Sequence, residues 1–240
     1  TRRQRQMCIR DRHKVMGVCH FPTFYAAMDA AQHLVKLDPV AVELIDRTMI
    51  ELARNIPIFK STIDSFVKGE PDAVLLVEFS GDDLGSLKGK LQELDTMMSD
   101  LGYSKAIIEA IDPVFQSKIT EVRQQGLNIM MSMKTSGKPV SFIEDCAVPL
   151  ENLAEYTHRL TEVFKKYGTD GTWYAHASVG CLHVRPVLDM KKGEDVKKMR
   201  AIAEEAFEMV REYKGSHSGE HGDGICLLYT SDAADESDRV

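Results

Sequence analysis

The chain has 240 residues, a formal net charge of −7, 43% hydrophobic and 28% charged residues. That size allows one sizeable domain or two small ones sharing a sheet, and the acidic balance argues against nucleic acid as a partner. No apolar run approaches the roughly 20 residues that span a bilayer, so any membrane association is expected to be peripheral or to lie in parts of the protein beyond this chain.

Both termini are expected to be foreign to the domain. Residues 2–11 back-translate to a common sequencing-adapter oligonucleotide, and its reverse complement in a shifted frame reads as residues 226–235. Residues 1–12 and 226–240 are therefore set aside as adapter-derived. The domain is assigned to 13–225, and the natural chain is expected to continue beyond both ends. Removing termini that carry +4 and −3 leaves −8. The basic run at the start then has no meaning as a nucleic-acid arm or targeting peptide. Three cysteines remain, Cys19, Cys146 and Cys181, with no Cys-x-x-Cys pair. They predict a reduced, cytoplasmic setting, and no iron–sulfur cluster can be built from this piece.

In chain order, residues 15–20 read as a strand, 24–37 as a helix with Ala27, Ala30, Ala31 and Leu34 at helical spacing, 40–45 as a strand and 48–54 as a helix. Pro57 opens a helical stretch to Lys68, and Gly69-Glu70-Pro71 is a turn. The continuous apolar run 73–79 is the clearest strand. Asp82 or Asp83 caps a helix carrying Leu84, Leu87, Leu91, Leu94 and Met98 up to Gly102. A short strand at 106–110 precedes one long helix that starts at Asp112-Pro113 and continues through Ile129 and Met130. The methionine-rich patch 129–133 reads as core or interdomain packing. Residues 140–148 read as a strand, in which Glu144 and Asp145 could approach a metal but read first as edge residues facing water. A helix over 150–167 ends at Gly168, and an amphipathic helix over 194–213 is terminated at Gly215. The pattern predicts an α+β fold, an antiparallel or mixed sheet layered with helices.

Two stretches carry chemistry. In 173–186, two β-rich runs meet at Val179-Gly180, so a tight hairpin there sets Tyr174, His176, His183 and Arg185 on one face, with Ala175, Ala177, Leu182 and Val184 on the other. With the turn centred between Val179 and Gly180, His176 lies across from His183 with Cβ atoms about 4.5–5.5 Å apart. That separation suits two imidazoles sharing one ion at about 2.0–2.1 Å from each nitrogen. The second stretch, Ser216-His217-Ser218-Gly219-Glu220-His221-Gly222-Asp223-Gly224, offers Glu220 as a third ligand and His221 as an acid or base, and its glycines let backbone approach a ligand closely. Zinc, manganese, cobalt and non-haem iron(II) all suit such a donor set. Histidines that are simply satisfied polar residues remain the competing reading.

The His-x6-His hairpin followed by Ser-Gly-Glu-His-Gly-Asp-Gly resembles the C-terminal domain of FAD-linked oxidases, the D-2-hydroxyacid dehydrogenases that include D-lactate, glycolate and D-2-hydroxyglutarate dehydrogenases. The resemblance spans about residues 14–225. It implies ferredoxin-like units, a divalent metal, zinc by preference, held by His176, His183 and Glu220, and His221 as the base. It further implies FAD bound mainly by an N-terminal domain not in this chain, a small 2-hydroxyacid substrate and a separate electron acceptor, with the fragment alone inactive. Arg185 stands where many members have a polar amide, and either holds a substrate carboxylate or pairs with an acid such as Glu144. Residues 128–139 lack the arginine that relatives use for substrate carboxylates, leaving only Lys134 and Lys138. A downstream iron–sulfur domain and a homodimer stay open. So does a second function, a non-catalytic metal-binding or interaction module in which His217 closes the site as a fourth ligand.

Overall fold

The computed structural model describes residues 12–219. β1 (His13–Phe21) leads into α1 (Phe24–Leu34), whose first turn is capped by the Thr23 hydroxyl accepting from Ala26 N–H. β2 (Ala41–Asp46) runs directly into α2 (Arg47–Arg54) because Asp46 ends the strand and caps the helix, accepting from Met49 N–H at 2.8 Å. α3 (Pro57–Phe66) starts on proline, which has no N–H to leave unsatisfied in the first turn. β3 (Ala73–Gly81) follows, then α4 (Leu84–Asp100), and of the two candidate caps it is Asp83 that accepts from Ser86 N–H, at 2.6 Å. β4 (Ile107–Ala110) closes this half.

The single long helix expected after Asp112-Pro113 is two: α5 (Pro113–Gln124) and α6 (Gly126–Met131). The break falls where glycine's low helix propensity coincides with close packing on α2, since a Cβ at Gly126 would sit 3.1 Å from Met49 Cε. Ile129 and Met130 are buried as expected, while Met131 is exposed.

The remaining elements are β5 (Lys138–Pro139), β6 (Cys146–Ala147), α7 (Leu153–Lys166), β7 (Gly171–His176), β8 (Cys181–Leu188) and α8 (Gly193–Glu212). Helix α8 ends in a Schellman-type turn in which Lys214, not Gly215, adopts the left-handed conformation (φ 54°), and Gly215 N–H bonds Val210 O at 2.8 Å.

All strand pairs are antiparallel, in the order β4-β1-β3-β2-β7-β8-β5, with β6 also on β8. The β4-β1-β3-β2 part is the ferredoxin-like unit that the resemblance implied, with α2 and α3 inserted between β2 and β3. The β7–β8 hairpin extends that sheet beyond β2.

Helices cover both faces. On one, α1, α4, α7 and α8 enclose the larger core, to which β3 contributes Ala73, Leu75, Val77 and Phe79. On the other, α2, α3, α5 and α6 enclose a smaller cluster, to which β3 contributes Val74 and Leu76. Burial on both faces explains why residues 73–79 read as continuously apolar.

The strand expected over 140–148 is not one strand. Pro139 pairs with Val187 and Cys146 with Leu182, so six residues, 140–145, cover a distance that four residues, 183–186, cover on β8. The surplus forms a bulge whose last residue, Asp145, has φ 74°. Bulges re-aim side chains: Glu144 is turned back over β8, and Asp145 is fully buried. Neither residue faces water.

Candidate functional site

The hairpin does set Tyr174, His176, His183 and Arg185 on one face, because Trp173, Ala175, Leu182 and Val184 all enter the larger core on the other. Its register differs from the expectation. Ala177–Val179 forms a short 3-10 turn closed by Gly180 at φ 67°, so His176 pairs with Cys181, and His183 pairs with Tyr174. Gly180 is required both for that left-handed conformation and because a Cβ there would collide with the Val148 carbonyl oxygen. The four-residue connection shifts the pairing by two residues, which preserves the face where a one-residue slip would have inverted it. The two imidazoles are diagonal neighbours with ring centroids 5.2 Å apart and planes at 85°.

Each imidazole meets a carboxylate. Glu43 lies opposite His176 in the β2–β7 register, with Oε1 2.9 Å from His176 Nδ1. Glu144, delivered by the bulge, has Oε1 3.4 Å from His183 Nδ1. Each carboxylate in turn meets an arginine. Arg123, near the C-terminal end of α5, donates from Nη2 to Glu43 Oε2 and approaches His176 Nδ1 at 3.2 Å. Arg185 donates from Nε to Glu144 Oε2 at 3.0 Å and from Nη2 to Glu144 Oε1.

Tyr174 organises the centre. Its ring stacks on His183 with centroids 4.6 Å apart, its hydroxyl accepts from Arg185 Nη2 at 3.2 Å, and the Arg185 guanidinium lies 5.4 Å from its ring centroid. His183 and Arg185 are only 2% and 6% exposed. Burial would raise the Glu144 carboxyl, but the contact with His183, the hydrogen bond from Ser141 and the charge of Arg185 bring it down to about 2. Burial raises the Tyr174 hydroxyl above its ordinary value.

Arg185 therefore takes the second of its two expected roles, pairing with Glu144. Even so, Arg185 Nη1 and Arg123 Nε are buried with no hydrogen-bond partner among the described residues. Residues 128–139 bring no arginine to the site, and Arg123 reaches it from the helix before that stretch. Lys138 is occupied by the Met133 carbonyl. Glu43 and Arg123 were not singled out from the sequence. Glu43 does leave a signal there, as the lone charge in the otherwise apolar run 40–45.

Glu220 and His221 lie outside the described residues. The chain leading to them is held in place: Ser216 exchanges two backbone hydrogen bonds with Ala147, each 2.8 Å, and Gly219 N–H donates to Asp145 O at 2.7 Å. Asp145 accepts from Ser218 Oγ at 3.0 Å and from Cys181 Sγ at 3.2 Å. A Cβ at Gly219 would lie 2.8 Å from Cys181 Sγ, so its backbone rests on the residue paired with His176. His217 does not join the site; its ring packs on Phe207 of α8 at 4.7 Å, with Nε2 3.3 Å from the Phe207 carbonyl.

The donor chemistry suits a divalent ion in part. Two imidazoles stand together, each with Nδ1 against a carboxylate, the usual outer arrangement of metal-bound histidine. No group of three or more ligating side chains occurs among the described residues.

The family of FAD linked oxidases, C-terminal domain, matches residues 10–227. D-2-hydroxyglutarate dehydrogenase of Pantoea ananatis is 29% identical over 223 residues, 88% of this chain and 21% of that protein. The same-named protein of Haemophilus influenzae is 28% identical, over 87% of this chain and 21% of that protein. Glycolate oxidase subunit GlcD of Bacillus subtilis is 26% identical, over 83% of this chain and 41% of that protein. The chain thus spans about a fifth of the first curated relatives it matches. Among solved structures, p-cresol methylhydroxylase with substrate bound shares the fold with a TM-score of 0.58 and 11% identity, covering 85% of this chain and 44% of that one. From the match over 10–227, the chain belongs to the FAD linked oxidases as their C-terminal domain.

Proposed function

We propose that this chain is the substrate-binding domain of a flavin-dependent oxidoreductase that oxidises a D-2-hydroxyacid to the 2-oxoacid. The observation that carries this is the convergence of His176 and His183 with Arg123 and Arg185 on one sheet face. His176, His183 and Glu220 would hold a divalent ion, zinc by preference, which when bound supplies Lewis-acid polarisation of the substrate's hydroxyl and carboxylate oxygens. FAD, held mainly by a domain outside this chain, would supply the hydride acceptor when bound.

This chain's own residues bind, orient and take a proton. The buried guanidinium nitrogens of Arg185 and Arg123 offer donors to a substrate carboxylate in a site with little access to water, where charge-assisted hydrogen bonds are strong. Tyr174 fixes the plane of His183 by stacking on it and holds Arg185 through its hydroxyl and a cation–π contact. His221 takes the hydroxyl proton, and Asp145 fixes the chain at Gly219, two residues before it. The buried free thiols of Cys19, Cys146 and Cys181 support a reduced, cytoplasmic setting.

Calorimetric titration of the chain with zinc and manganese, then with D-2-hydroxyglutarate and D-lactate, tests it. One ion and ion-dependent acid binding are expected, both absent in the His176→Ala/His183→Ala variant. A parent chain that takes up neither ion nor acid overturns the reading.

A further inference from the structure

The site contains the same three-part relay twice, from different elements. In one, Arg123 of α5 donates to Glu43 of β2, whose Oε1 is 2.9 Å from His176 Nδ1. In the other, Arg185 of β8 donates to Glu144 of the bulge, whose Oε1 faces His183 Nδ1 at 3.4 Å, a looser contact at ion-pair distance without hydrogen-bond geometry. The two relays share no residue, and their imidazoles meet at 5.2 Å.

An ionised carboxylate can only accept, so an imidazole nitrogen facing one must carry the proton. The other ring nitrogen, Nε2, then carries the lone pair. At His176 the guanidinium of Arg123 also approaches Nδ1, at 3.2 Å. Being itself a donor, it would favour the opposite tautomer. The carboxylate prevails there because it is nearer, 2.9 Å against 3.2 Å, and its hydrogen bond with the ring N–H is charge-assisted.

We infer that Glu43 and Glu144 are positioning residues that lock His176 and His183 in the Nδ1–H tautomer, each carboxylate held in turn by its own arginine. This gives both histidines the same lone pair, on Nε2, and so equips them to act as a pair toward one electrophile. It deepens the metal-assisted reading of the same site, on which its functional sense rests.

The test is two-bond nitrogen–proton correlation spectroscopy of the imidazole-labelled full chain, without metal, in mildly alkaline buffer where free imidazole is neutral. Nδ1–H correlations are expected at both histidines. In Glu43→Gln the amide oxygen is drawn to Arg123 and its NH2 faces Nδ1, so the Nδ1–H correlation of His176 is lost while that of His183 is unchanged. Glu144→Gln gives the reciprocal result, and a general structural disturbance would not separate the two. Zinc affinity should fall by about 10–100-fold in either variant. If a single variant does not fold, Glu43→Leu/Arg123→Met removes the relay without stranding a buried charge and should lose the same correlation. An Nε2–H or imidazolium form at either histidine of the parent overturns the inference, as does a variant that keeps its own histidine's Nδ1–H. A zinc titration of the parent separates the two levels. Expected tautomers without zinc uptake would refute the metal reading alone, and zinc uptake with reversed tautomers would refute this inference alone.

Discussion

Strands β3 and β8 are equally buried and oppositely built. From Ala73 to Val77 no residue of β3 is more than 2% exposed, and all five are apolar. From Cys181 to Arg185 no residue of β8 exceeds 6% exposure, yet the face that carries His183 and Arg185 is polar. In β3 burial is satisfied by packing alone. In β8 it requires a bulge that returns Glu144 to the strand and a tyrosine laid against His183 and Arg185. Buried ion pairs of this kind contribute little net stability compared with apolar residues of the same volume.

The largest effect should come from breaking the β8 arrangement on one side. Arg185→Met leaves Glu144 buried and uncompensated and is expected to lower unfolding stability by about 3–5 kcal/mol, whereas Glu144→Leu/Arg185→Met recovers most of that loss. Denaturant melts of the three chains decide it, and a single variant as stable as the parent would mean that the pair is hydrated.

The seam between the two regions gives the next test. Asp46 caps α2 and also accepts from Trp173 N–H of β7 at 3.1 Å. It is 4% exposed, and burial raises its carboxyl to about 7 against the lowering effect of those two N–H bonds. Glu144, with an arginine, moves the other way. A raised folded-state value means that the contribution of Asp46 is complete below about pH 4, the ordinary aspartate value, and is lost as pH rises through 7. Relative to Asp46→Asn, the parent should therefore lose about 4 kcal/mol over that window, at 1.36 kcal/mol per pKa unit, and then level off. A difference that does not vary with pH would show that Asp46 is solvated. For Glu144 the sign reverses: its contribution is present above about pH 4.5 and disappears as pH falls toward 2.

Truncation in the apolar region should act through packing only. Leu75→Ala, at a fully buried position of β3, is expected to cost about 2–5 kcal/mol with imidazole tautomers and metal uptake unchanged. The smallest effect belongs to the surface. Lys14 and Glu78 form a 2.6 Å ion pair on β1 and β3, with Lys14 about half exposed, and Lys14→Met should change stability by less than about 1 kcal/mol and less still at high salt.

Much of the scaffold was legible from periodicity and caps. Asp83 and Asp112 lie where their helices begin, and Pro57 and Pro113 occupy first turns. The face shared by Tyr174, His176, His183 and Arg185 was legible too, since alternation alone sets it. What misled was local: Gly126 divides a helix that its neighbours would continue, and Asp145 at φ 74° interrupts a run with strand composition. Such breaks are fixed by partners distant in sequence, Met49 in one case and Cys181 and Ser218 in the other.

The sequence by itself determined the layered α+β class, the position of almost every element, and which hairpin face bears the histidines, because hydrophobic period and capping chemistry are short-range properties. Only the tertiary structure decided that His176 stands beside Glu43, 133 residues away, and His183 beside Glu144, and that Arg123 enters the site. Those contacts depend on strand order, on a four-residue turn and on a bulge. Each is selected by the packing of whole layers rather than by the residues that form it.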